Sequence, residues 1–201
     1  MTPTLWGRAS SVNVQKVMWA LAEIGLEHER IDAAGKYGRV DELRALNPNA
    51  RVPIWQEDGL TLWESHAIVR HLAARGIAHD PVADQWMEWT TSTLQPSFIA
   101  IFWQMVRMRP EERSAEVLAK QSEALNAALG ILDDRLEQSP WLNGSAFSTA
   151  EIAAGSLMYR IHDIDWPKGD FPRVSDWYAR LAERPGYRAT VMTSYEELRA
   201  N

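Results

Sequence analysis

The sequence predicts an α/β domain at the N-terminus followed by an all-helical domain, and three observations predict it. Up to about Gly76, short apolar runs alternate with helical periodicities, whereas from about Val82 onward the strand signals vanish and long helical segments replace them. The composition shifts across Gly76 to Pro81, a short connection containing His79-Asp80-Pro81, which sets the expected domains at 1–76 and 82–201. With 201 residues, 46% of them hydrophobic, the chain is long enough for one large or two small domains around a buried core.

In order along the chain, Thr4 to Gly7 reads as a first strand. Val14, Val17, Met18, Leu21 and Ile24 then recur at helical spacing before Gly25 stops the helix. Glu27 to Asp32 follows as a second strand and Asp41 to Leu46 as a short helix. Val52-Pro53-Ile54 opens an apolar run, Asp58-Gly59 is a hairpin turn signal, and Leu60 to Trp63 is a second run that stops at Glu64-Ser65. A helix from Glu64 to Ala74 is closed by Gly76. This order of βαβ, helix, hairpin and helix is compatible with a thioredoxin-like sheet. In the helical part, Arg109-Pro110, Ser139-Pro140, Trp166-Pro167 and Arg184-Pro185-Gly186 separate the segments, and Pro96 is expected to kink or interrupt the first long helix. Ser148 and Glu151 have capping-box spacing, with Phe147 placed to staple onto Ile152.

Composition excludes several classes of function. The net charge of −6 and the lack of a long Lys/Arg cluster offer no electrostatic footprint for nucleic acid. No run approaches the length of a membrane span, and the N-terminus lacks a basic and apolar leader, so the cytoplasm is the expected location. Asn143-Gly144-Ser145 fits a glycosylation sequon but reads as a turn. The absence of cysteine excludes disulfides, thiolate metal sites and any enzyme thiol. The five histidines show no metal pattern, since His66 and His71 fall on different helix faces and read as surface or packing residues. No metal is expected. Trp6, Trp19, Trp55 and Trp63 are expected to pack within the first domain.

The segment Asn47 to Ile54, followed by Trp63 to Ile68, carries the chemistry. A proline where a β-run begins offers no backbone donor and is one of the few residues that can hold a cis peptide. With Val52-Pro53 cis, Val52 turns its own N–H and C=O outward to pair with an extended peptide by strand addition. Glu64 and Ser65 then stand at a helix N-terminus, where free N–H groups and the dipole favour a carboxylate. Lys36, Arg39 and Arg51 supply basic residues nearby. Together these residues describe a cradle for a small anionic peptide.

The Val-Pro to Glu-Ser spacing resembles that of the glutathione transferase superfamily, and the likeness extends from Leu5 to about Tyr195. It implies a thioredoxin-like glutathione-binding domain, a helical domain that lines the electrophile site, and a homodimer. By this resemblance Val52 pairs with the cysteinyl part of glutathione beside a cis Pro53, Glu64 and Ser65 bind its γ-glutamyl group, and Arg51, Lys36 or Arg39 meets the glycyl carboxylate. The Ser148 motif resembles the capping motif of that family, with Glu151 where Asp is usual.

A free thiol with pKa near 8.5 is only about 3% thiolate at pH 7, so a catalyst has to raise that fraction. Lowering the thiol pKa by about two units requires about 2.7 kcal/mol of preferential thiolate stabilisation, roughly one charge-assisted hydrogen bond plus a helix N-terminus. The turn Arg8-Ala9-Ser10-Ser11-Val12-Asn13 stands at the start of a helix and can supply both. Alignment with serine-type transferases puts Ser11 at the catalytic hydroxyl and Asn13 as a second donor, in a Ser-x-Asn arrangement resembling bacterial theta-like and nu-like members. A shift of one residue exchanges Ser11 with Ser10. Phe98, Ile101, Phe102, Trp103, Met105, Val106 and Met108 form an apolar stretch, of which Phe102, Trp103 and Val106 are taken as lining for a small hydrophobic electrophile.

The leading expectation is an enzyme that adds glutathione sulfur to such an electrophile. Glutathione-dependent isomerisation is an alternative, although Asn13 stands where the isomerase class carries cysteine; peroxide reduction by bound glutathione is another. A non-catalytic interaction module of the same fold is the reading from a different class.

Overall fold

The structure is a computed structural model that describes residues 2–200. Its first half is a four-stranded sheet in the order β2-β1-β3-β4. β1 (Thr4–Trp6) pairs in parallel with β2 (Glu29–Ile31) and antiparallel with β3 (Ile54–Glu57), which turns back into β4 (Leu60–Trp63). Two parallel neighbours need a crossover, and α1 (Val12–Ile24) supplies it. The β3–β4 hairpin closes through Asp58 and Gly59, both at positive φ (46° and 84°), the backbone that a tight hairpin demands and that Asp-Gly tolerates. α2 (Val40–Leu46) follows β2 and covers a small cluster of Ala33, Leu43 and Ile54.

α1 is apolar on two sides, and both are used. It packs against α3 (Ser65–Ala73) on one side and against two C-terminal helices on the other, with Val14, Val17, Trp19 and Ala20 wholly buried. It begins at Val12, ahead of the apolar spacing that starts at Val14, because Ser11 has the extended backbone of an N-cap residue (φ −83°, ψ 120°). β2 is shorter than the run Glu27 to Asp32, since only Glu29 to Ile31 find partners on β1.

After α3 the chain is helical. α4 (Pro81–Trp89), a π-helical turn (Thr90–Leu94), α5 (Gln95–Phe102) and a second π-helical turn (Trp103–Arg107) succeed one another with no intervening loop. Pro96 sits in the first turn of α5, directly after the first π turn, where its missing N–H is accommodated. α6 (Ala115–Gln138), α7 (Thr149–Asp163), α8 (Pro172–Glu183) and α9 (Pro185–Thr190) complete the bundle. α7 lies at its centre, with Ala150, Ile152, Ala153, Ala154, Leu157 and Met158 wholly buried. Among the described residues no helix is long and apolar enough to cross a membrane.

The capping box of α7 is formed. Glu151 Oε2 accepts from the Ser148 N–H at 2.8 Å and from the Ser148 hydroxyl at 2.8 Å, while Ser148 Oγ accepts from the Ala150 N–H at 3.2 Å. The second oxygen, Glu151 Oε1, accepts from the Leu142 N–H at 2.6 Å and so ties the preceding turn to the helix. Phe147 packs against Trp19 (5.4 Å) and Trp141 (5.8 Å), joining α1 to this cap. Past α9 the tail returns across the bundle: Tyr195 and Leu198 are buried, and the Ala200 N–H donates to the Val106 carbonyl at 2.8 Å.

Candidate functional site

The turn between β1 and α1 separates its two serines. Ser10 is buried, and its hydroxyl donates to Glu197, which also holds Lys36. Ser11 is half-buried at the N-cap of α1, and its hydroxyl makes no capping bond; among the described residues it has no partner. The turn is fixed from below by Arg160 of α7, whose Nη2 donates to the Ser10 carbonyl at 2.8 Å. An uncommitted hydroxyl therefore stands beside the open amides of a helix N-terminus, on a turn that cannot readily move.

The second component is the loop before β3. Asn47 is buried, donates through Nδ2 to the Arg51 carbonyl at 2.9 Å and accepts from the Asn49 N–H at 3.0 Å, which holds residues 47–51 in a fixed arc. The Val52-Pro53 peptide is cis. Neither the Val52 N–H nor its carbonyl has a partner among the described residues, so this backbone edge is open to an extended peptide. Pro53 is buried behind it.

The third component is the start of α3. Glu64 is its N-cap with φ 71° and ψ 118°, an unusual backbone for a residue with a side chain, and no side chain caps the helix. Ser65 is buried, its hydroxyl has no partner among the described residues, and a cleft of about 350 Å³ opens here. Asn13, Lys16, Glu64, Ser65, His66 and Gln95 are among its lining residues.

Beneath the cleft runs a polar network. Lys16 is 1% exposed and donates to Gln95 Oε1 at 2.6 Å and to His66 Nε2 at 3.1 Å. Burial pushes the Lys16 pKa down to about 7, with Glu64 opposing the shift, and pushes His66 down to about 2, with Lys16 and Arg70 adding to it. His66 is thus neutral. Accepting from Lys16 at Nε2, it carries its proton on Nδ1, which faces Thr91 Oγ1 at 3.1 Å. Gln95 also donates to Asn13 Oδ1 at 3.4 Å, which leaves the Asn13 amide protons unclaimed. A carboxylate, helix amides and a buried amine on one cleft suit a ligand end that carries both charges.

Of the three basic candidates, Arg39 pairs with Glu42 at 2.9 Å and Lys36 pairs with Glu197, whereas Arg51 has no ion-pair partner among the described residues. The apolar candidates divide as well. Phe102 and Val106 are buried, with Tyr195 5.7 Å from the Phe102 ring, and Trp103 is 53% exposed. Trp63, expected to pack, is 37% exposed on the edge strand β4. A groove of about 540 Å³ lies by the other end of α1, between Ala22, Glu23 and Arg184, and holds none of the candidate site residues.

Sequence reasoning passes over Lys16, Gln95 and Arg160, and gives Asn47 no role of its own within the segment 47–54. Lys16 leaves a trace, a charged residue four positions from Val12 and from Ala20 on an otherwise apolar face. Arg160 and Gln95 leave none, because their roles depend on contacts with residues far away in the chain.

Two family models match the chain: "Glutathione S-transferase, N-terminal domain" over residues 1–74 and "Glutathione S-transferase, C-terminal domain" over residues 87–185. Glutathione S-transferase GstB of Escherichia coli is 35% identical over 202 residues, spanning 94% of this chain and 97% of that protein. Glutathione S-transferase 4 of Zea mays is 29% identical over 196 residues, spanning 90% and 88%. Among solved structures, the theta class glutathione S-transferase of Xanthomonas axonopodis pv. citri with glutathione bound superimposes with a TM-score of 0.91 at 38% identity, covering 96% of this chain and 98% of that one.

Proposed function

Because the chain belongs to the glutathione transferase superfamily and is an enzyme of theta-like type, we propose that it activates the glutathione thiol with Ser11 and Asn13 for attack on a small electrophile. The observation that carries this reading is the Ser11 hydroxyl, unbonded at the N-terminus of α1 while Ser10 is committed to Glu197. Asn13 adds a second donor from the cleft side. The cysteinyl backbone of glutathione pairs with the open N–H and C=O of Val52. Its γ-glutamyl end takes the cleft, with the ammonium toward Glu64 and the carboxylate toward Ser65 and the α3 amides, and Arg51 meets the glycyl carboxylate.

In the reaction the thiol gives its proton to solvent, and the Ser11 O–H and the α1 N-terminus hold the thiolate. The sulfur then bonds to the electrophilic carbon. The chain acts in the cytoplasm, in detoxification, as a homodimer; light scattering on the purified protein tests the last of these.

Difference absorbance near 240 nm during glutathione titration from pH 5 to 9 reports bound thiolate directly. The expected result is a thiolate that appears well below pH 8 in the wild type and is lost in Ser11→Ala, together with about a hundredfold drop in kcat/KM. Loss of activity in Ser10→Ala with Ser11→Ala unaffected reverses the assignment.

A further inference from the structure

Over the turn that carries Ser11 lies a group of cations with too little negative charge to balance them. Arg160 is 3% exposed; its guanidinium sits 5.3 Å from the Phe102 ring and 5.1 Å from the Tyr195 ring, and among the described residues it has no carboxylate partner and its buried Nε no hydrogen-bond partner. Arg8, on the turn itself, likewise has a buried Nε without a partner and forms no ion pair among the described residues. Its Nη1 packs against Gly35, next to Lys36. Arg107 closes the second π turn, stacks at 5.5 Å over the exposed Trp103 and has no ion-pair partner among the described residues. Arg8 and Arg107 are close enough for each to penalise the charge of Arg160.

Among the described residues, one carboxylate, Glu197, is set against Arg8, Lys36, Arg107 and Arg160; its two oxygens bond to the Ser10 hydroxyl and the Lys36 ammonium while its charge also faces Arg8 and Arg107. The nearby Asp163 accepts from the Tyr195 hydroxyl, and Glu196 pairs with Arg199 at 2.9 Å. In a chain with a net charge of −6, an excess of guanidinium beside a reactive turn is a local exception. Guanidinium groups present forked donors that match a carboxylate, and unpaired buried donors are costly unless a ligand fills them.

We propose that the electrophile carries a carboxylate, held by Arg8 and Arg107 with Arg160 behind them, while its apolar body lies on Trp103. The inference rests on the glutathione-activating reading of Ser11 and narrows the electrophile from hydrophobic to anionic. For an activated aryl halide the step balances simply. The carbon–sulfur bond forms, the carbon–halogen bond breaks, halide leaves, and the thiol proton goes to solvent.

The test compares 4-chloro-3,5-dinitrobenzoate with its uncharged carboxamide, each catalysed kcat/KM divided by the uncatalysed rate constant with glutathione. The wild type is expected to favour the carboxylate by about tenfold or more, and Arg107→Gln and Arg8→Gln to bring that ratio toward one. In parallel, calorimetry with 3,5-dinitrobenzoate and 3,5-dinitrobenzamide, which have no leaving group, reads the site without turnover. The acid is expected to bind about tenfold more tightly than the amide, with the preference lost in Arg107→Gln. Equal use and equal binding of acid and amide by the wild type overturns the inference, as does a preference that both substitutions leave intact. If Arg107→Gln weakens the glutathione thiolate signal but not the acid preference, the arginines serve the glycyl carboxylate and the inference falls. Acid-selective binding without any bound thiolate instead defeats the Ser11 reading and leaves the anion site standing.

Discussion

At Gly7 the backbone has φ +147°, and a Cβ there would stand 2.4 Å from Val14 Cγ2 and 3.1 Å from Val52 Cβ. The residue therefore lets β1, α1 and the ligand-facing loop meet at one point, and Gly7→Ala must move one of them. It is expected to destabilise by about 2–4 kcal/mol in urea unfolding, through both overpacking and backbone strain. Lys16 makes a different kind of prediction. Its pKa in the folded chain is about 7 against an ordinary value of 10.5, so between those two pH values the unfolded chain binds more protons and stability rises with pH. Below about pH 7 the full cost of burying the ammonium is felt. The wild type is thus expected to gain stability relative to Lys16→Met as pH goes from 7 to 9.5, which unfolding midpoints of the two proteins at matched pH will show. The sequence marks Ser10, Ser11 and Asn13 as one cluster, and what it could not convey is that Glu197, far off at the C-terminus, engages the first of the serines. A residue's neighbours along the chain are legible there; the partner that removes it from contention is not.

Among the elements, the α7 cap is one whose spacing alone predicts its geometry, because a capping box is a local object closed within four residues. Ser148→Ala removes a hydroxyl that both accepts from Ala150 and donates to the buried Glu151, and is expected to cost about 1–2 kcal/mol by thermal or denaturant unfolding. Burial raises the Glu151 pKa, and its hydrogen bonds from Ser148 and Leu142 oppose that shift, so losing the hydroxyl also leaves a less well compensated carboxylate. The hairpin was legible for the same reason, since Asp58-Gly59 specifies its own turn. The π turns at Thr90–Leu94 and Trp103–Arg107 were not, because each depends on how α4 and α5 fit against their neighbours. They matter for the site: the second one leaves Trp103 exposed and Val106 buried, which divides a stretch that reads as a single apolar run.

For the molecule as a whole, one continuous core extends from Leu5 on β1 to Leu198 in the tail. The tail reaches both halves, since Glu197 binds Ser10 and Lys36, and Ala200 binds Val106. Removing residues 195–201 exposes the surfaces that Tyr195 and Leu198 cover, and is expected to lower stability by about 3–5 kcal/mol in a single cooperative unfolding transition. The α/β and helical regions are separable in the sequence because their periodicities differ, yet their packing is shared. Gly155 on α7 shows how closely: a Cβ there would stand 2.7 Å from Leu181 Cδ1 and 3.2 Å from the Trp19 ring of α1. Swapping halves between relatives is therefore a matter of stereochemical fit rather than of choosing a linker. A hybrid that keeps Trp19 from this chain is expected to fit best with a helical partner that has no side chain at the position facing the indole, because a methyl group there would stand 3.2 Å from the ring.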